Sequence, residues 1–169
     1  MRVLATAAAA LLALSTLATP AHAAATPMYR YEIINRANSW LTANNGGPVP
    51  YSQTRFWGSE GYRQDCSGYV SMAARLGAPG KITIDLADHV HSTGITMSQL
   101  RQGDIVVNPE GDDANGRHVV IFDRWVDPYQ TGYYAYEQRS VYGTTYRALR
   151  YGLVAGDKYR ARRLNNVTG

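Results

Sequence analysis

Cysteine is the scarcest chemistry in this chain: one thiol, Cys66, among 169 residues. Exported domains that rely on cysteine for stability use it in pairs, so a lone thiol excludes an internal disulfide framework. It leaves a buried inert group, a link between chains, or a reactive nucleophile. Massed charge is also missing. The formal net charge is +4 and the sequence pI near 9.3, yet only Arg160, Arg162 and Arg163 cluster. A nucleic-acid surface carries a denser basic patch with interleaved aromatics. Nucleic acid is therefore not the expected partner, and the excess reads as general attraction to an anionic surface. There is no internal repeat, and no low-complexity segment outside the N-terminus. Metal-ligand spacing is weak as well: His89 and His91 beside Asp88 lack the further Asp or Cys ligands that a zinc site wants. No metal and no organic cofactor are expected.

The one long apolar run lies at the start. Met1-Arg2 precedes a small and apolar stretch from Val3 to Leu17, then Pro20 and Ala21-His22-Ala23, a small-x-small cleavage pattern. The run is short for a membrane span, which needs roughly 20 residues. The expectation is a signal peptide over residues 1–23, removed to leave one domain over residues 24–169. The product is then secreted or held in the cell envelope, without stable membrane association, as a monomer. Loss of Arg2 lowers the formal charge to about +3.

Periodicity divides the remainder into helices followed by strands. Ile33, Ala37, Trp40 and Leu41 fall at helical spacing within Pro27 to Asn44, which Asn44-Asn45-Gly46-Gly47-Pro48 stops. Val49 to Gln64 is irregular and aromatic. Tyr69 to Leu76 reads as a second helix, ended by Gly77-Ala78-Pro79-Gly80, and Met97 to Gln102 as a short helical turn. From Asp104 the period becomes two: strands are predicted at Asp104–Val107, His118–Trp125, Gly132–Gln138, Thr144–Tyr151 and Tyr159–Leu164, with a polar turn over Pro109–Arg117. The many tyrosines suit a half-exposed pleated surface. Helices first and strands after give an α+β fold with an antiparallel sheet.

Cys66 falls where the irregular segment gives way to the second helix. A thiol in the first helical turn meets the positive end of the helix dipole and free backbone N–H groups, both of which favour the nucleophilic thiolate. Asp65 is a good N-cap, and small Ser67 and Gly68 leave room for a substrate backbone. A cysteine nucleophile needs a base, and the base an orienting partner. His118 opens an apolar strand just after a turn, where its ring can reach the mouth of a cleft. The third group is expected on the adjacent strand, in Tyr136-Glu137-Gln138. Alternate residues face opposite sides, so one of Glu137 and Gln138 qualifies. Glu137 is preferred because it can stabilise an imidazolium by charge, whereas Gln138 can only orient.

The run Asp65-Cys66-Ser67-Gly68-Tyr69-Val70, the Leu100–Asp104 lead into a strand, and His118-Val119-Val120-Ile121-Phe122 together resemble the NlpC-type cell-wall cysteine peptidases. That group is papain-like and related to the CHAP amidases. The resemblance covers about Val49 to Leu164. It implies an α+β domain with helices packed on an antiparallel, partly barrel-like sheet, and hydrolysis of amide bonds in peptidoglycan stem peptides. It implies Cys66 as nucleophile and His118 as base. It assigns Asp65 and Ser67 to the free amino end of the stem peptide and Tyr51 to the groove wall. The chain departs from the pattern at Gln102, where proline commonly precedes Gly-Asp, and at the third catalytic position, often histidine in the family. A binding module with a degenerate site, and a secreted effector using the same dyad on another amide, are the rival readings.

Overall fold

The order of elements follows the change of period at Asp104. The computed structural model describes residues 26–111 and 116–169. The expected signal peptide lies outside the described residues, as do residues 112–115 of the Pro109–Arg117 turn. Strand β1 (Met28–Tyr29) leads into helix α1 (Arg30–Ser39), and a small hairpin of β2 (Phe56–Trp57) and β3 (Tyr62–Arg63) precedes α2 (Cys66–Ala73). A short α3 (Thr83–Leu86) follows. The sheet strands are β4 (Ser92–Gly94), β5 (Ile105–Asn108), β6 (His118–Trp125), β7 (Tyr133–Arg139), β8 (Gly143–Leu149) and β9 (Arg160–Leu164). β10 (Val167–Thr168) pairs in parallel with β1 and closes the described chain.

The six sheet strands run antiparallel in the order β4-β9-β5-β6-β7-β8. Edges β4 and β8 do not pair with each other, so the partly barrel-like closure is not shown; the sheet is open. The crossing of β9 between β4 and β5, and the short polar β4 itself, are not visible in the sequence pattern. Strand alternation sends the two faces to different cores. Ile105, Val107, Val119, Ile121 and Tyr136 pack with α1 and α2. Val106, Val120, Phe122, Tyr133, Ala135 and Leu149 form a second cluster on the other face. His118 and Glu137 share the parity of Val120 and Ala135, and so belong to that second face.

Helix α2 is buried along its whole length, Cys66 to Ala73. A helix apolar all round belongs inside a core. Its polar groups are accounted for: Tyr69 Oη donates to the Ala37 carbonyl at 2.7 Å, and Ser71 Oγ donates to the Ser67 carbonyl at 2.8 Å. Arg36 of α1 donates from Nε to the Met72 carbonyl at 2.8 Å. Trp40, which caps the C-terminus of α1, tilts onto Tyr69 with ring centres 5.4 Å apart. A second tie joins α1 to the sheet. The carboxylate of fully buried Asp104 takes Arg30 at 2.9 Å and Arg163 at 2.7 Å. A buried charge stripped of its partner costs about 3–5 kcal/mol, so this junction holds the two layers together.

Gly68 is required by close approach. A Cβ there would lie 2.1 Å from the Arg63 carbonyl oxygen. The space expected to admit a substrate backbone is thus filled by the chain's own β3, which corrects that reading of Gly68. Backbone cannot yield as a side-chain tip can, so Gly68→Ala is expected to cost at least the ~1–3 kcal/mol of overpacking. At about 2–4 °C per kcal/mol for a domain of this size, its melting temperature by circular dichroism should fall by several degrees. An unchanged midpoint would show that β3 is free to move off α2.

Candidate active site

Local chemistry fixes where Cys66 sits. Asp65 holds an extended backbone conformation before α2, and its Oδ1 accepts from the Gly68 N–H at 2.6 Å. That is the N-cap bond which answers one of the free donors of a first helical turn. Ser67 Oγ donates to the same oxygen at 3.2 Å. The other oxygen, Oδ2, takes Arg63 Nε at 2.5 Å, and Arg63 also reaches Ser67 Oγ at 3.2 Å. Arg63 further bonds the Gly80 and Lys81 carbonyls at 3.4 and 3.0 Å. Cys66, as first residue of the helix, turns its thiol into a buried position with Sγ 3.9 Å from Thr83 Oγ1.

The start of β6 brings His118 to that thiol. Its Nε2 lies 2.9 Å from Glu137 Oε2, and its ring stands close enough to Cys66 for the sulfur to raise its pKa. With Nε2 given to the carboxylate, Nδ1 is the nitrogen left for sulfur. Burial alone would pull the imidazole pKa down; the bonds and charges of Cys66 and Glu137 outweigh it and hold the ring up at about 9. Glu137 is completely buried. Burial would raise its carboxyl, but His118 and Arg147 reverse that and keep it below the usual value. Arg147 Nε makes a very close ion pair with Oε1, Thr145 Oγ1 donates to the same oxygen at 3.3 Å, and Arg139 Nε stands 3.6 Å away.

Gln138 turns to the opposite face. Its Nε2 donates to the Val49 and Pro50 carbonyls, each at 3.1 Å, and its Oε1 accepts from Thr144 Oγ1 at 3.0 Å. Gln64 adds a bond to Pro50 at 3.1 Å. These bonds fasten the segment that carries Tyr51. Tyr51 lines two cavities, one on either side of the thiol–imidazole pair. The smaller, about 60 Å³, has Asp65, Cys66, Ser67, Thr83 and Arg117 in its wall. The larger, about 500 Å³, has His118, Glu137, Arg139, Arg147, Tyr151 and Tyr159. Burial, first, and the neighbouring sulfur and Asp65 raise the Tyr51 phenol above its ordinary value despite the bond from Gln53, so it stays a hydrogen-bond donor.

No family model matches the sequence, and no curated protein matches it. Among solved structures, the chain is similar to a lipoprotein-like protein of the NLP/P60 family from Staphylococcus aureus subsp. aureus Mu50. The TM-score is 0.53 and the identity 17%, over 88% of this chain and 46% of that one. This chain has an NLP/P60-like fold. It spans less than half the length of that protein, and at this identity the likeness extends to the fold alone.

Within the NLP/P60-like frame, Cys66, His118 and Glu137 converge from α2, β6 and β7. Tyr51, Asp65 and Ser67 gather on the Cys66 side. Asp65 and Ser67 face the small cavity already bonded to Arg63, a pairing the sequence reading missed although Arg63 stands two residues upstream. Arg139, Arg147, Tyr151, Tyr159 and Thr83 were also missed. Arg139 and Arg147 alternate in step with Glu137 and with its partner Thr145 across the β7–β8 register, a signal readable only once that register is known. His89 is exposed and pairs with Asp88 at 3.2 Å.

Two tests follow from this geometry. The His118 pKa in the fold exceeds its ordinary 6.5, so its contribution to stability is complete below about 6.5 and is lost as pH rises through about 9. Proton NMR of the ring should give a titration near 9, and Glu137→Gln should lower it by about one unit or more; an unmoved titration would remove Glu137 as the source of the shift. Gln138→Leu leaves the His118–Glu137 pair intact and frees the Tyr51 segment. Hydrogen exchange around residues 49–53 should rise at least about tenfold, with the His118 titration unchanged.

Proposed function

We propose that this chain is a secreted cysteine hydrolase of the NlpC-type group, cutting peptide amide bonds in bacterial peptidoglycan. The observation that carries the reading is one imidazole bonded to a fully buried carboxylate and electrostatically coupled to a thiol in the first turn of a buried helix. A histidine bridging nucleophile and orienter is the arrangement that nucleophilic acyl transfer needs. Residues 24–169 act as the mature domain after loss of the signal peptide, working outside the cytoplasm on stem peptides as a monomer.

In this mechanism Cys66 is the nucleophile, His118 the proton carrier and Glu137 the orienting anion. His118 takes the Cys66 proton, and the raised pKa of its ring favours the imidazolium that results. The thiolate attacks the scissile carbonyl carbon, and the new oxyanion accepts from the backbone N–H of Cys66 at the start of α2. Tyr51, held as a phenol beside the sulfur, lines the groove. As the tetrahedral intermediate collapses, the C–N bond breaks and His118 delivers its proton to the departing amine. Water then enters, gives a proton to His118, and its oxygen displaces the thiolate from the thioester, releasing a carboxylic acid and restoring the pair. Every atom in the cycle comes from the substrate, water, Cys66 and His118.

The test is product analysis by mass spectrometry after incubating muropeptides and whole sacculi with wild-type protein and Cys66→Ala. New fragments are expected with wild type only, at least about 10³-fold above the variant, given how completely such sites depend on their nucleophile. The mass difference names the bond. Binding of sacculi by both proteins without cleavage by either favours a degenerate binding module instead. Cleavage that survives in Cys66→Ala rejects the nucleophile.

A further inference from the structure

The larger cavity is richer in positive charge than Glu137 requires. Three cationic groups converge on this one carboxylate: His118 at 2.9 Å, Arg147 in a very close pair, and Arg139 at 3.6 Å. One anion balances one of them. Arg139 is the least committed. At 3.6 Å its contact with Glu137 is too long for a hydrogen bond, and its Nε is buried without a hydrogen-bond partner. Its Cζ lies over the Tyr142 ring, 3.8 Å from the centroid, a cation–π contact that holds the guanidinium in the wall of the cavity. A preorganised guanidinium with open donors suits a planar carboxylate. Tyr159 adds a phenol that burial, then the Tyr151 ring and the anions nearby, hold protonated as a donor. Tyr151 and Tyr159 stack 4.4 Å apart as one wall, and Tyr151 meets His118 edge-on at 6.0 Å.

The cavity also has a direction. Its wall includes His118 and Glu137, whereas Cys66 borders the smaller cavity across Tyr51. The group that protonates the leaving amine must touch it, so the fragment carrying that amine occupies the His118 side. We infer that Arg139, with Arg147 and Tyr159, forms a carboxylate subsite for the amine-side fragment of the substrate. The inference rests on the hydrolase reading and deepens it: this site prefers amides whose departing half bears a free carboxylate over those in which it is amidated. Arg139 is a specificity residue, and Arg147 serves both the carboxylate of Glu137 and that of the substrate.

The test compares muropeptides before and after conversion of their carboxylates to carboxamides with carbodiimide and ammonia, using wild-type protein, Arg139→Gln and Arg139→Lys. In wild type, amidation should raise KM about tenfold, the scale of one charge-assisted bond, with kcat nearly unchanged. Arg139→Gln should show the raised KM on untreated muropeptides and little further response to amidation, while Arg139→Lys recovers part of the preference. Equal wild-type KM values on the two pools overturn the subsite and leave the hydrolase standing. Cleavage of neither pool removes the hydrolase reading. The subsite is then judged by calorimetric binding of both pools to Cys66→Ala, with and without Arg139→Gln. Affinity that ignores amidation, an absence of binding, or affinity that ignores Arg139 overturns it.

Discussion

Everything near the thiol depends on one buried anion. Glu137 has no solvent exposure, and an ionised carboxylate in that position is tolerable only when its lone pairs are taken up by charged or polar partners. The fold supplies them from three adjacent strands: His118 from β6, Arg139 from β7 itself, Thr145 and Arg147 from β8. Antiparallel pairing makes this possible, because Glu137 stands opposite Thr145 and Arg139 opposite Gly143 in register. A slip of one residue would turn the carboxylate to the helix face and put Gln138 in its place. The bulge between Phe122 and Arg124 lies on the far side of the Ile121–Tyr136 pair from His118 and Glu137. The charge requirement and the strand register are therefore one constraint.

The second constraint is the entry to α2. Asp65 caps the helix, Arg63 neutralises Asp65, and the Arg63 carbonyl presses where Gly68 has no side chain. Each contact orders the next, so the residue between Asp65 and Ser67 points into the cleft with little conformational freedom. The same bonds narrow what Asp65 and Ser67 can offer a ligand. A free amine arriving in the small cavity finds the carboxylate already shared with a guanidinium and a backbone N–H. Recognition there must either compete with Arg63 or use other walls, which include Tyr51 and Arg117.

How much of this was legible in the sequence can be judged residue by residue. Cys66 announced itself as the lone thiol at a helix start, and His118 as a polar residue opening an apolar strand, because both signals are local. The β6 boundaries followed from period-two alternation. Glu137 and Gln138 were equivalent by parity until the partner strand and its register were known, since alternation says that neighbours diverge but not which one faces the helix. Arg139 and Arg147 carried no local signal for the same reason. Edge strand β4 escaped because Ser92-Thr93-Gly94 has neither apolar alternation nor β-branched density; it is held instead by Arg162, which bonds the Ser92 hydroxyl and carbonyl at 2.6 Å. Contacts that span seventy residues leave no local pattern.

The excess of tyrosine has a physical explanation in the second face of the sheet. A phenylalanine there would pack equally well, but the sheet's far ends need polar ties that an apolar ring cannot make. Tyr133 donates to the Tyr151 carbonyl at 3.0 Å, and Arg147 donates to the Tyr151 hydroxyl at 3.3 Å. These bonds hold the segment after β8 against β7, and that segment places Tyr151 edge-on to His118. Rings exclude water from the imidazole–carboxylate pair and so strengthen its attraction, while their hydroxyls keep the wall compatible with a polar cleft. The wall that shields the proposed base is thus built from the side chains that let a charged ligand approach it.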